Sequence, residues 1–203
     1  MDERARPLEL GDLDADPLRQ FETWFREVEG RVRVPEAMAL ATATPEGAPS
    51  VRMVLLKGYD AHGFVFYTGY ESRKGIELAA NPRAALLFYW DPAGRQVRIE
   101  GPLDRTTPAE TEAYFHSRPR GARIAALASR QSQVLSGREE LEARFGQLES
   151  ELEGEEVPVP AHWGGFRLTP ETYEFWQHRE NRLHDRFRYR RARDGWTIER
   201  LSP

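Results

Sequence analysis

The sequence predicts an α+β domain, mainly antiparallel β, and three observations carry that expectation. From Ala37 onward short extended runs alternate with turn residues. Helical patterns occur as a leading helix and as insertions rather than between successive strands, and the tail returns to strands. This order excludes the regular strand–helix alternation of a doubly wound sheet and leaves a barrel or sandwich.

Each element has its own signal. Asp16 followed by Pro17 marks a helix start, and Leu18, Phe21, Phe25 and Val28 then recur at helical spacing to about Glu29. The runs AMALATAT, SVRMVLLKGY and FVFYT, separated by PEG and DAHG, read as an antiparallel meander. ESRKGIELAANP reads as a short helix capped by Ser72 and stopped before Pro82. RAALLFYW and RQVRIEGPL follow as strands joined by the turn DPAG. Thr107 with Glu110, and Ser136 with Glu139, have capping-box spacing, so helices are expected to begin near 107 and 137, with a shorter one in GARIAALAS. EGEEVPVPAHWGG reads as a loop. Strands are expected at about 165–175, 182–191 and 196–201, the last two joined at Asp194 and Gly195.

The stretch NRLHDRFRYRR, residues 181–191, carries most of the tail's positive charge. In a strand, alternation puts Arg182, His184, Arg186, Arg188 and Arg190 on one face and Leu183, Phe187 and Tyr189 on the other. One face is then built to pack and the other to hold an anion.

Composition bounds the function. The 203 residues suit one domain, expected over 16–203 behind a flexible N-terminal segment, 1–15. The longest apolar run, AALLFYW at 84–90, is far too short to cross a bilayer, and the acidic N-terminus has no apolar signal core. Zero cysteines exclude disulfides, thiolate nucleophiles and cysteine metal sites and fit a reducing compartment, so the expected location is the cytoplasm. A net charge of -4 argues against nucleic-acid binding through a basic surface. The five histidines show no HxxxH or HExxH spacing, so no metal site is expected, and GxSxG, P-loop and GxGxxG motifs are absent.

Local anion sites remain. Arg52 and Lys57 lie in SVRMVLLK at an odd separation that sends them to opposite faces unless a bulge intervenes. Arg73 and Lys74 fall in the first turn after Ser72, where free N–H groups favour an anion. Tyr114 and Arg118 are four residues apart before Pro119 and so share a helical face. Gln131 and Ser132 supply donors between two helices, and Trp176 offers a flat surface for a ring.

In order, RMVLLK, FYT, SRK, RQV, YFHSRPR, RQS, WGGFR, EFWQ and RLHDR resemble the pyridoxamine/pyridoxine 5′-phosphate oxidase family, from about Asp16 to Pro203. The resemblance implies a split β-barrel with inserted and flanking helices. It further implies a homodimer with two FMN sites at the subunit interface, and oxidation of phosphorylated B6 vitamers by O2. By matching position it implies that Arg52, Arg73, Lys74, Gln131 and Ser132 hold the FMN phosphate or ribityl chain. Met53, Val54, Leu55, Leu56 and Lys57 complete the cofactor-binding run of that strand, and Tyr67, Thr68 and Gln96 lie along the flavin. It implies that Trp176 and Arg186 are supplied by the partner subunit. The resemblance likewise implies that Lys57, Tyr114 and Arg118 grip the substrate phosphate and that Arg182 and His184 lie over its ring as the catalytic pair.

Some positions depart from the family pattern. Ala122 stands where a serine often reaches the substrate phosphate, Leu127 where tryptophan is common and His178 where glycine is usual. No tyrosine precedes Tyr59, so a lid of the kind some relatives carry is absent or different. The alternatives are a flavin oxidase of the same barrel acting on another aromatic, as in phenazine biosynthesis, and a non-catalytic FMN or pyridoxal phosphate carrier.

Overall fold

The computed structural model describes residues 6–203. α1 (Pro17–Val28) starts where expected: the Asp16 carboxylate accepts the Leu18 N–H, filling a donor the first turn leaves open. Its apolar stripe enters the main core, where Phe21 meets Phe64 edge-on at 4.9 Å and Trp24 meets Phe175 at 5.2 Å. Burying a side chain of this size contributes about 1.5–3 kcal/mol, so α1 is held by its packing more than by its helix propensity.

The strands form one curled antiparallel sheet, a split β-barrel. β1 (Ala37–Ala43), β2 (Pro49–Leu55), β5 (Arg83–Trp90), β6 (Arg95–Arg105), β8 (Thr172–Gln177), β9 (Asp185–Ala192) and β10 (Gly195–Arg200) run in the order β10-β9-β8-β6-β5-β1-β2. β3 (Gly58–Asp60) pairs with β4 (Gly63–Gly69), β4 pairs with β7 (Trp163–Leu168), and β7 pairs with the far end of β6. β6 therefore serves two neighbours on one side, β8 up to Glu100 and β7 from Leu103.

The corner falls at Gly101, where a Cβ would stand 1.9 Å from the Thr169 carbonyl oxygen. Only glycine lets the two backbones approach there.

Three expectations about strands are corrected. The run expected as one strand from Ser50 breaks after Leu55, and the Lys57 N–H donates instead to the Val65 carbonyl (2.8 Å), stitching the chain to β4. The strand expected at 165–175 is two, because residues 169–171 turn at the corner of β6 and Pro170 cannot donate to a ladder. β9 begins at Asp185 rather than 182: residues 180–182 form a 3₁₀ turn in which Asn181 (φ 55°) and Arg182 (φ 62°) are left-handed. Arg182 is thus off the strand, and Leu183 is 67% exposed rather than packed.

From Asp185 the expected alternation holds, with Phe187 and Tyr189 buried. The arginines on the opposite face answer to carboxylates of this chain: Arg186 to Glu174, and Arg188 and Arg190 to Glu199.

α2 (Arg73–Ala80) is capped by Ser72, whose hydroxyl accepts the Gly75 N–H. α3 (Pro108–Ser117) opens with the expected capping box of Thr107 and Glu110, and α4 (Arg120–Ala128) follows. α5 (Arg138–Glu151) differs: Gly137 is its N-cap with no side-chain bond, and Ser136 donates to Glu140 rather than exchanging with Glu139. Phe115, Ile124 and Val157 form a small second core that fixes these helices against the barrel.

The segment expected to be flexible is described from Arg6. There Leu8 is buried, its N–H donating to Asp185 and its carbonyl accepting from Arg200. Among the described residues no helix is long and apolar enough to cross a membrane.

The outer face of the sheet changes character across its width. One row of paired residues runs Met53, Ala39, Leu87, Arg98, Glu174, Arg188. Its apolar end is open to solvent, Met53 being 64% exposed, with Val51, Leu55 and Tyr89 also exposed nearby on β2 and β5.

Candidate active site

A cavity of about 750 Å³ opens between β2, β4, the start of α2 and the α3–α4 region. Its basic end is built on the first turn of α2. Lys74 is 7% exposed, and its Nζ donates to Thr68 Oγ1 (3.1 Å), Ser72 Oγ (3.3 Å) and Gln131 Oε1 (3.0 Å). Burial, and then the charge of Arg52, bring the Lys74 ammonium down to about 8. Gln131 Oε1 also accepts from Thr68 Oγ1 and the Gly69 N–H, so one amide oxygen joins β4, α2 and the loop before α5. Ser132 follows with a left-handed backbone (φ 72°), a conformation that costs a residue with a side chain about 1 kcal/mol or more.

Arg52 reaches the same end from β2, donating to the Leu40 carbonyl (3.2 Å) and Thr42 Oγ1 (2.6 Å). Its Nη2 also donates to Ser50 Oγ and lies 3.5 Å from Glu77. Arg73 Nε donates to Glu77 at 2.9 Å. Burial alone would push the Glu77 carboxyl up, but hydrogen bonds from Ser50, Thr42 and Arg73 outweigh it and hold the group at about 2.

The other end is aromatic. Tyr67 stacks on Tyr114 at 3.9 Å and on Trp163 at 5.4 Å, and the Arg118 guanidinium lies 4.8 Å above the Trp163 ring. Burial raises the Tyr67 and Tyr114 phenols and makes the Arg118 charge harder to hold. Arg118 Nη1 is buried with no hydrogen-bond partner among the described residues.

The cavity brings together most of the expected site residues: Arg52, Met53, Val54, Leu55, Lys57, Tyr67, Thr68, Arg73, Lys74, Tyr114, Arg118, Gln131 and Ser132. Arg52 and Lys57 border one cavity despite their odd spacing, because β2 ends between them.

The other expected residues lie elsewhere in the single chain. Leu56 packs in the main core and does not line the cavity. Gln96 is separated from Tyr67 and Thr68; it borders a second hollow of about 290 Å³ with Trp176, Arg186 and Glu174, its strand partners placing it there. His184 lies at the edge of β9, its ring 4.5 Å from Trp176 and 5.4 Å from His178, and its Nδ1 accepts the Arg179 N–H at 3.1 Å. Burial first, then His178 and Arg182, lower the His184 pKa. Neither Arg182 nor His184 borders the Arg118 cavity within one chain, and neither does Ala122, although Ala125 and Ala126 on the same helix do.

The sequence reading missed Trp163, which lines the cavity, and Glu77, which lies behind it as the partner of Arg73 and Arg52. Trp163 sits in WGGFR, and a strand-opening tryptophan looks like core until α3 stacks Tyr114 beside it. Glu77 had a visible signal, the four-residue step from Arg73. Among the described residues no cluster of three or more His, Asp or Glu side chains is placed to hold a metal ion.

Fold and cavity together define a split-barrel protein with a pocket that is cationic at one end and aromatic at the other. Comparison with known proteins narrows the class. Residues 25–151 match the family model described as pyridoxamine 5′-phosphate oxidase, and residues 163–203 match the pyridoxine 5′-phosphate oxidase C-terminal dimerisation region. A pyridoxine/pyridoxamine 5′-phosphate oxidase of Rubrobacter xylanophilus is 56% identical over 94% of this chain and 88% of its own length. Its counterpart in Bordetella pertussis is 58% identical over 93% of this chain and 90% of its own. The crystal structure of PhzG from Burkholderia lata, in complex with tetrahydrophenazine-1-carboxylic acid, aligns with a TM-score of 0.92 at 33% identity, covering 98% of this chain and all of that one. An FMN-binding, pyridoxamine 5′-phosphate oxidase-related protein of Nostoc punctiforme has the same fold, with a TM-score of 0.74 at 17% identity over 94% of this chain. The chain belongs to the pyridoxamine 5′-phosphate oxidase family, and its last strands are that family's dimerisation region.

Proposed function

We propose that the chain oxidises pyridoxine 5′-phosphate and pyridoxamine 5′-phosphate to pyridoxal 5′-phosphate, with O2 as acceptor, H2O2 as by-product and NH3 released from the amine. The observation that carries this reading is Arg118. Its guanidinium is pinned over Trp163 while the buried Nη1 lacks an acceptor among the described residues. A charged donor so placed is left at a high desolvation cost unless an anion enters. Tyr114 and Lys57 border the same space, so a substrate phosphate here would meet a phenol, an ammonium and a guanidinium.

The opposite end suits a second phosphate. Arg52, Arg73 and Lys74, with Gln131 and Ser132, fit the phosphate and ribityl chain of FMN, and Tyr67 and Thr68 with the β2 segment Met53–Leu55 fit its length. FMN, when bound, supplies the hydride acceptor and passes the electrons to O2. The protein's share is geometry: its two sets of cationic residues would anchor two phosphates, each carrying about −1.5 to −2 charge, and so would orient the two ring systems toward each other.

The site is completed by a second copy of the chain. The dimerisation region carries Trp176, Arg186, Arg182 and His184, and in one chain these stand apart from the cavity they are expected to serve. His184 Nδ1 is occupied by the Arg179 N–H, so the neutral ring carries its proton on Nε2 and presents a donor. The lowered pKa keeps it neutral at physiological pH. The cysteine-free composition fits the cytoplasm.

The test is a visible spectrum of the purified protein with added FMN, followed by oxygen uptake with pyridoxamine 5′-phosphate and with an unphosphorylated ring. A yellow protein that consumes O2 only with the phosphorylated amine is expected. A colourless preparation that takes up no FMN overturns the reading, binding without oxygen uptake favours a carrier, and equal uptake on both rings favours a phenazine-type oxidase.

A further inference from the structure

Glu77 is a buried carboxylate directly behind Arg52 and Arg73, two lining residues of a site read as a phosphate cradle, where a negative charge is at first sight out of place. Its side chain is 5% exposed. It accepts from the hydroxyls of Thr42 and Ser50 and from Arg73 Nε, and it stands 3.5 Å from Arg52 Nη2. The same two hydroxyls are the partners of Arg52. Thr42 and Ser50 face each other across β1 and β2, so Glu77 on α2 ties the helix to both strands and both arginines to itself.

We infer that Glu77 is a positioning residue for the cofactor phosphate, acting through Arg73; the inference rests on the flavin reading above. Arg73 is the member of the cradle with least support of its own. Its side chain is 63% exposed, and its one ion pair among the described residues is with Glu77. A long side chain in water samples many rotamers, and ordering it when the phosphate arrives takes free energy from binding. Holding its Nε on a fixed carboxylate restricts the guanidinium of a residue that lines the cavity and leaves its two outer nitrogens available to an anion there. Arg52 needs Glu77 less, since the Leu40 carbonyl and two hydroxyls already hold it.

The carboxylate also sets the charge. Arg52, Arg73 and Lys74 against Glu77 leave the cradle two positive charges, the complement of a phosphate dianion. With Glu77 held near pKa 2, this balance is constant over the working pH range, apart from the titration of Lys74.

The experiment measures FMN and riboflavin affinity of the dimeric apoprotein by quenching of flavin fluorescence, for wild type, Glu77→Gln, Arg73→Ala and the double variant. Riboflavin lacks the phosphate and reports on the rest of the pocket. Glu77→Gln is expected to weaken FMN about tenfold, leave riboflavin within about twofold, and have little further effect when Arg73 is already alanine. Equal loss for both flavins would reduce Glu77 to a structural role and overturn the inference. So would unchanged FMN binding, which would leave Glu77 no part in holding the phosphate, or tighter binding, which would mean that its charge opposes the phosphate more than its position helps. Additive losses in the double variant would show that it does not act through Arg73. Should Glu77→Gln fail to fold, Glu77→Asp keeps the charge but draws it back by one methylene; unchanged FMN affinity in that variant overturns the inference. A wild-type protein that binds neither flavin overturns the flavin reading itself, and the inference with it.

Discussion

At the level of single residues, the site is a set of charges held in unusual surroundings, and two make separable predictions. Lys74 is buried and sits at about 8, so it loses its proton within an accessible range. Its charge is present below that pH and lost above it; FMN affinity is therefore expected to decline as pH rises through about 8, and the decline should vanish in Lys74→Met, as fluorescence titration between about pH 6.5 and 9.5 checks. Arg118 is expected to serve the substrate rather than the cofactor. Arg118→Ala removes hydrogen bonds to a charged group worth about 1.5–3 kcal/mol, so KM for pyridoxine 5′-phosphate should rise by roughly tenfold or more while FMN affinity holds. A KM that does not move would remove Arg118 from the phosphate site.

At the level of elements, the corner at Gly101 is the sharpest constraint. A Cβ there meets the Thr169 carbonyl at 1.9 Å, so Gly101→Ala must shift β6 or the 169–171 turn and is expected to destabilise by about 1–3 kcal/mol or more in urea unfolding. Gly146→Ala, in the middle of α5 with nothing within 4 Å of its added methyl, should stabilise by about 0.5–1 kcal/mol. The two substitutions differ in sign although the chemical change is the same. Local signals such as the Asp16, Ser72 and Thr107 caps were legible in the sequence because both partners lie within three residues. The breaks after Leu55 and before Asp185 were not, because period-two alternation carries no mark of where a strand changes partner, whereas the break at 169–171 did carry a mark, Pro170. The same holds for the site. RMVLLK and SRK pointed to Arg52, Arg73 and Lys74, whereas the separation of Gln96 from Tyr67 follows from ladder register, which no short motif encodes.

At the level of the whole molecule, the sheet's outer face runs from open apolar residues on β2 and β5 to paired charges on β8 and β9. Apolar side chains as exposed as Val51 and Met53 on the outer face of the sheet mark a surface meant to be covered. Met53→Asp would place a charge in that contact, and sedimentation should then find monomers that have also lost FMN. A dimer that persists with flavin intact would move the interface elsewhere.

The parting of Arg118 from His184 into separate hollows of one chain has a genetic consequence. If each catalytic centre draws one of them from either subunit, two inactive alleles, Arg118→Ala and His184→Ala, should rescue one another when co-expressed. Random pairing makes half the dimers mixed, and each mixed dimer rebuilds one intact centre beside a doubly damaged one, so about a quarter of wild-type activity returns.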